Sequence, residues 1–86
     1  MDIGGAIKAL KEGKRVTRPS WNGSGQFVYY IPPSKAQAQT DTEKEIAGED
    51  GTVFYGGYLI LRTSYGTLNT WVPSISDLLA EDWHIV

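Results

Sequence analysis

Three features of the chain predict an α+β domain: a small antiparallel β-sheet with an N-terminal helix packed across it and a short C-terminal helix before the last strand. Ile3, Ala6, Ile7 and Leu10 recur at helical spacing. Short runs rich in β-branched and aromatic residues follow, cut off by Pro19, Pro32-Pro33 and Pro73. The last eighteen residues, Asn69 to Val86, then read as strand, bend, a turn or two of helix, and a final strand. The implied order is α, β, β, loop, β, β, α, β.

In the opening segment Asp2 is the expected N-cap, Lys8 and Lys11 point outward, and Gly13 ends the helix as its C′ residue. Gly4 and Gly5 weaken the first turn, so this helix is expected to depend on docking against a sheet. Lys14 to Arg18 reads as a short strand with Val16 inward. Ser20-Trp21-Asn22-Gly23-Ser24-Gly25 is a loop whose Asn-Gly pair favours a tight turn with positive φ. Gln26 to Ile31 returns as a strand, with Phe27, Tyr29 and Ile31 on one face and Val28 and Tyr30 on the other.

Residues 34–52 change character, with Ile46 the only large aliphatic, and are expected to form a mobile excursion or extended loop. Val53-Phe54-Tyr55 reads as a small edge strand. Tyr58 to Thr63 is the most sheet-like stretch, its run Tyr58-Leu59-Ile60-Leu61 expected to be buried on both faces. Ser64-Tyr65-Gly66 turns it into Thr67 to Val72, giving an antiparallel hairpin. After Pro73, Ser74 and Asp77 have the form of a capping box, with Ser76 a competing N-cap, and Leu78, Leu79 and Ala80 form the apolar side of the short helix. Trp83, His84, Ile85 and Val86 alternate as a half-buried strand does.

Eighty-six residues make a single domain, 1–86, whose modest core makes oligomerisation a natural remedy. No cysteine is present, which is compatible with a reducing cytoplasm. There is no signal-peptide pattern and no membrane-length apolar run. A net charge of −2 argues against DNA or RNA polymers as partners. The charge is unevenly spread: residues 1–31 hold five basic and two acidic residues, whereas residues 32–57 hold two and five. The N-terminal third is therefore the part suited to facing a small anion.

Signatures of catalysis are thin. His84 is the sole histidine, with no cysteine or second histidine to complete a metal site, and no serine lies in a nucleophile elbow. The glycine pairs do not form a phosphate loop, and the acidic residues of 34–52 lack a calcium-loop spacing. No cofactor or metal is expected. What remains is an inventory for binding, with the ring faces of Trp21, Phe27, Tyr29 and Trp71 and the hydrogen-bonding groups of Asn22, Ser74, Ser76 and Asp77. Phosphates would meet Arg15, Arg18 or the first amides of the short helix. Trp21 has two readings, a lid folded back on the core or a flat ring offered to a planar ligand.

With these residues in view, the chain resembles a family of small phage proteins, the second Thoeris anti-defence family. The matching stretches are Ile3 to Lys14, Val16-Thr-Arg-Pro-Ser-Trp-Asn-Gly23, and Trp71-Val-Pro-Ser-Ile-Ser-Asp-Leu-Leu-Ala-Glu-Asp-Trp83, the last two forming a specific pair about fifty residues apart. The match runs nearly end to end except through 34–57, and Pro19-Ser20 stands where a basic–glycine pair is common. The resemblance implies a non-enzymatic sponge that holds a cyclic ADP-ribose signal made by a Thoeris TIR-domain enzyme, in some members cyclic dinucleotides too, without degrading it. It further implies a homotetramer with ligand pockets between protomers, acting in the cytoplasm of the infected bacterial host. By position, Trp21 would stack on a base, Asn22 and the loop at Gly23 would bond ligand oxygens, and Ser74, Ser76 and Asp77 would meet ribose or base edges. Two other classes stand beside this one: an enzyme cleaving the same signal, and a phage structural or protein-interaction module in which Trp21 and Trp71 are interface anchors.

Overall fold

A computed structural model describes all 86 residues. Helix α1 (Ile3–Lys11) leads into strands β1 (Val16–Thr17) and β2 (Phe27–Ile31). Next come β3 (Ser34–Gln37), α2 (Asp41–Ile46), β4 (Thr52–Tyr55), β5 (Tyr58–Arg62), β6 (Leu68–Thr70), α3 (Ile75–Leu79) and β7 (His84–Ile85). Five strands form an antiparallel sheet in the order β6-β5-β2-β1-β7, and β3 pairs with β4 in a separate two-stranded sheet. The fold is α+β, as the sequence predicts.

Helix α1 forms where its apolar spacing and caps require. The Asp2 side chain accepts from the Gly5 amide at 3.0 Å, and Gly13 takes φ +88 beyond the C-cap. It lies across one face of the five-stranded sheet. There Ala6, Ala9 and Leu10 meet Val16, Val28 and Trp83, all buried. Val28 is the centre of this layer: β2 is flanked on both sides, and Val28 stands opposite Val16 on β1 and Leu61 on β5. Trp83 ties the chain's two end segments together, its amide donating to the Met1 carbonyl at 3.1 Å.

No helix lies against the opposite face in the single chain. The register places Phe27 opposite Arg62, Tyr29 opposite Ile60 and Ile31 opposite Tyr58 on this side. The apolar run of β5 is covered unevenly: Leu59 and Leu61 pack against the core under α1, while on the other face Ile60 is 9% exposed and Tyr58 41%. The expectation of two-sided burial holds at Ile60 with its neighbours Leu59 and Leu61 and fails at Tyr58, where the strand begins.

Two further expectations are corrected. The segment 34–52, read as an irregular excursion, carries β3, α2 and the start of β4. Its polarity reflects a projecting arm with no large side chain buried: Thr40 and Glu43 complete a capping box on α2, and Ala38 is the arm's one buried residue. The last strand is two residues long and lies at the sheet edge, so Ile85 stays half exposed while Trp83, just before it, is buried.

The arm makes the chain long. Its extents are 46 × 26 × 22 Å and its radius of gyration is 15.6 Å, where a compact domain of this length has about 12 Å. Its accessible surface, 5841 Å² at 9.5 kDa, exceeds the roughly 5,050 Å² of a compact monomer of that mass. No helix is long and apolar enough to cross a membrane.

Candidate functional site

The segment Thr17-Arg-Pro-Ser-Trp-Asn-Gly23 leaves the sheet at β1 and crosses the N-terminal end of α3. Pro19 and the turn behind it direct Arg18 and Trp21 toward the same carboxylate. Arg18 Nη1 donates to Asp77 Oδ1 at 2.8 Å, and Trp21 Nε1 donates to the same oxygen at 3.0 Å. Asp77 Oδ2 accepts from the Ser74 amide at 3.0 Å while Ser74 Oγ accepts from the Asp77 amide at 3.1 Å, the reciprocal capping box of α3. The Asp77 carbonyl also accepts from Trp83 Nε1 at 3.0 Å. Arg18 Nε reaches Asp82 Oδ1 at 2.7 Å, and Ser20 Oγ bonds Asp82 Oδ2 at 2.8 Å.

Burial pushes the Asp77 carboxyl up, but the Ser74 amide, the Trp21 indole and Arg18 together hold it below the ordinary carboxylate value. Asp82 is held low by its hydrogen bonds from Arg18 and Ser20, and Arg18 is raised by Asp82 and then Asp77. Both carboxylates are anions with their oxygens engaged. Neither is a free base.

Above this polar hub sit three indoles. Trp21 is 5.3 Å from Trp83 and 6.1 Å from Trp71, and Trp71 is 5.9 Å from Trp83, each pair edge to face. Trp83 is buried, while Trp21 and Trp71 are half-buried. Trp21 is folded back with its indole N–H bound to the hub, while part of its surface remains open.

Two recesses meet at Trp21. The smaller, about 220 Å³, is lined by Trp21, Asn22, Gln26, Leu61, Trp71 and Asp77. It brings together four residues expected from the sequence. The larger, about 490 Å³, opens on the helix-free sheet face and takes in Arg18, Trp21, Gly23 and Phe27 together with Arg15, Arg62 and His84. Ser74 and Ser76 line neither: Ser74 caps α3, and Ser76 is exposed outside both. The loop between the recesses relies on glycine. Gly23 and Gly25 adopt φ +92 and +75, and a Cβ on Gly25 would stand 2.9 Å from Arg62 Nη1.

Gln26 and Arg62 were not found from the sequence. Gln26 Nε2 donates to the Asn22 carbonyl and shapes the loop from within. Arg62 is the lone charged residue closing an apolar run, a signal that gains meaning only once the register sets it beside Phe27. Helix α3 departs from expectation more sharply. Its inward residue is Asp77, and its apolar side chains face out, with Ile75 71% and Leu79 77% exposed.

Fold and cavities thus define a small α+β domain with two recesses joined at one tryptophan. The chain belongs to the Thoeris anti-defense 2-like domain family, whose model matches residues 1–86. It is 35% identical over 86 residues to Thoeris anti-defense 2 of Bacillus phage SP01, a match covering all of this chain and 94% of that protein. Membership supports a phage anti-defence role.

Proposed function

We propose that the protein is a sponge: it binds a cyclic nucleotide immune signal, glycocyclic ADP-ribose first and cyclic dinucleotides as further ligands, and withholds it from its effector without cleaving it. The observation that carries this reading is the recess at Trp21, where two indoles, the Asn22 and Gln26 amides and a fixed carboxylate converge. Such a site suits a base on an aromatic face with polar groups reading its edge. It supplies no nucleophile with a base beside it, because Asp77 and Asp82 are bonded to Arg18, Trp21 and serines.

A homo-oligomer, by this reading a tetramer, completes the site. A recess of 220 Å³ is below the roughly 300–1,000 Å³ that enclose a whole ligand, so one chain holds part of the signal and a second chain covers the rest. The outward apolar residues of α3 and the helix-free sheet face support such contacts. The same outward face of α3 is what favours the second reading, a protein-interaction module. Sequestration needs a dissociation constant near the nanomolar range, about −12 kcal/mol, reached through preformed surfaces rather than ordering on binding. The place of action is the cytoplasm of the infected host.

The test is calorimetric titration with glycocyclic ADP-ribose, then heating and mass analysis of what is released. Tight binding with intact ligand recovered is expected. Recovery of a cleaved product makes the protein an enzyme, and absence of heat with this ligand and with cyclic dinucleotides favours the protein-interaction reading.

A further inference from the structure

Asparagine or aspartate precedes glycine at two places in the chain, Asn22-Gly23 and Asp50-Gly51, and the other asparagine, Asn69, precedes Thr70. The fold treats these places differently. Asp50 is tied down: its Oδ1 accepts from the Thr52 amide at 3.1 Å and from the Thr52 hydroxyl at 2.7 Å, and the Gly51 amide donates to the Gly48 carbonyl at 3.0 Å. Asn69 lies within β6, paired with Leu61.

At Asn22 both reacting groups are free. Its side-chain amide has no hydrogen-bond partner, the residue bonding only through its backbone carbonyl, and the Gly23 amide donates to nothing. Both residues are exposed, and Gly23 has no Cβ to shield its nitrogen. The Asn22 carbonyl accepts from Gln26 Nε2, which polarises the peptide group and makes the Gly23 N–H more acidic. Arg62, bonded to the Gly25 carbonyl at 3.0 Å, adds a positive charge beside the loop that favours an amide anion.

We infer that Asn22 is a self-modification site, which converts to aspartate and isoaspartate in the folded protein and so closes the tryptophan recess to an anionic ligand. Hydroxide removes the Gly23 amide proton, and the nitrogen attacks Asn22 Cγ. The new N–Cγ bond makes a succinimide ring as the Cγ–Nδ2 bond breaks, and ammonia leaves with a proton from water. A second water opens the ring: cleavage at Cγ gives aspartate, and cleavage at the main-chain carbonyl carbon gives the β-linked isomer. The net change is water taken up and ammonia released, with nothing oxidised or reduced. Either product sets a carboxylate in the recess that Asn22 shares with Trp21, Trp71 and Asp77. Asp77 is compensated by Arg18, whereas no cation lines that recess to meet the new charge. Isoaspartate also lengthens the main chain that Gln26 holds. The conversion stands on the loop's own chemistry, and only its effect on the ligand rests on the sponge reading.

The experiment incubates the full chain at neutral and mildly alkaline pH and maps it by peptide mass spectrometry, with isoaspartate counted by enzymatic methyl labelling. Asn22 is expected to convert at about the rate of a free peptide spanning residues 19–26, and faster as pH rises. Asn69 should stay unchanged throughout, and Asp50 until the chain is unfolded in urea. Asn22→Gln, whose ring closure is slower, should block the conversion. Asn22→Asp, the product made directly, should keep the circular dichroism of the parent and bind glycocyclic ADP-ribose about tenfold more weakly or worse. An Asn22 that survives in the folded chain while the unfolded chain converts would overturn the site, as would β-linkage at Asp50 keeping pace with Asn22. Where the parent binds the ligand, equal affinity in Asn22→Asp would overturn the effect on the recess. A parent that binds no ligand refutes the sponge reading, and the peptide map still decides the site.

Discussion

Arg18 and Asp77, fifty-nine positions apart, meet at 2.8 Å with both side chains largely withdrawn from water. That contact locks the Trp21 loop to the start of α3 and places the tryptophan recess where two distant segments cross. A buried carboxylate with this many donors is sensitive to loss of either side, because the partner is then left charged and unpaired.

Replacing Asp77 should therefore destabilise the fold. Asp77→Ala leaves Arg18, the Trp21 indole and the Ser74 amide without their acceptor and is expected to cost about 3–5 kcal/mol. Asp77→Asn keeps an acceptor and should cost less. Urea unfolding followed by tryptophan fluorescence measures both, and an Asp77→Ala midpoint equal to that of the parent chain would refute the hub.

Stability should fall in acid. Asp77 and Asp82 both have folded values below the reference of 3.8, so the stability they contribute is fully present above that reference and is lost as pH drops through the folded values. Urea midpoints from pH 7 down to pH 2 should stay level in this respect until about pH 4, then decline. Asp82→Asn should flatten the decline, and an unchanged slope would remove Asp82 from the account.

Trp83→Ala removes the largest fully buried side chain and is expected to cost about 3–5 kcal/mol. For a domain with so small a core this amounts to unfolding. Circular dichroism should show no cooperative melt, and a stable variant would displace Trp83 from the centre of the core.

Trp21 can be tested without emptying its place in the indole cluster. Trp21→Phe keeps a ring against Trp83 and Trp71 but loses the donor to Asp77, at an expected cost of about 1 kcal/mol. Its oligomer should persist while affinity for glycocyclic ADP-ribose falls about tenfold or more. Trp21→Ala should abolish ligand binding. If the Phe variant instead loses its assembly at full ligand affinity, Trp21 is an interface anchor rather than a base platform.

The outward face of α3 gives a direct test of assembly. Leu79→Glu or Ile75→Glu places a charge on side chains already facing water in the single chain, so the protomer fold should survive. Sedimentation equilibrium should show a lower mass than that of the parent protein. An unaltered mass moves the subunit contact elsewhere.

Much of this arrangement is legible in local sequence. The spacing of Ile3, Ala6, Ile7 and Leu10, the Asp2 and Gly13 caps, the Ser74–Asp77 box and the strands between prolines depend on neighbours within a few residues. Ala9 was missed in the core because a small side chain weighs little in an apolar pattern. The expectation at 34–52 failed for a similar reason, since β3 and β4 are held by pairing with each other and bury little for a pattern to register.

By itself the sequence determined the α+β class, the sheet-forming runs outside 34–52, the capped helices α1 and α3 and the grouping of Trp21, Asn22, Trp71 and Asp77 as candidates. Only the tertiary structure decided what each of them faces. Asp77 turned inward as acceptor for Arg18 and Trp21, the apolar side of α3 turned outward, and Arg62 came to stand opposite Phe27, over whose ring Arg15 lies. The reason is physical: local propensity acts over a few residues, whereas the direction of a side chain on a short helix or strand is set by which distant donor or packing surface arrives to meet it.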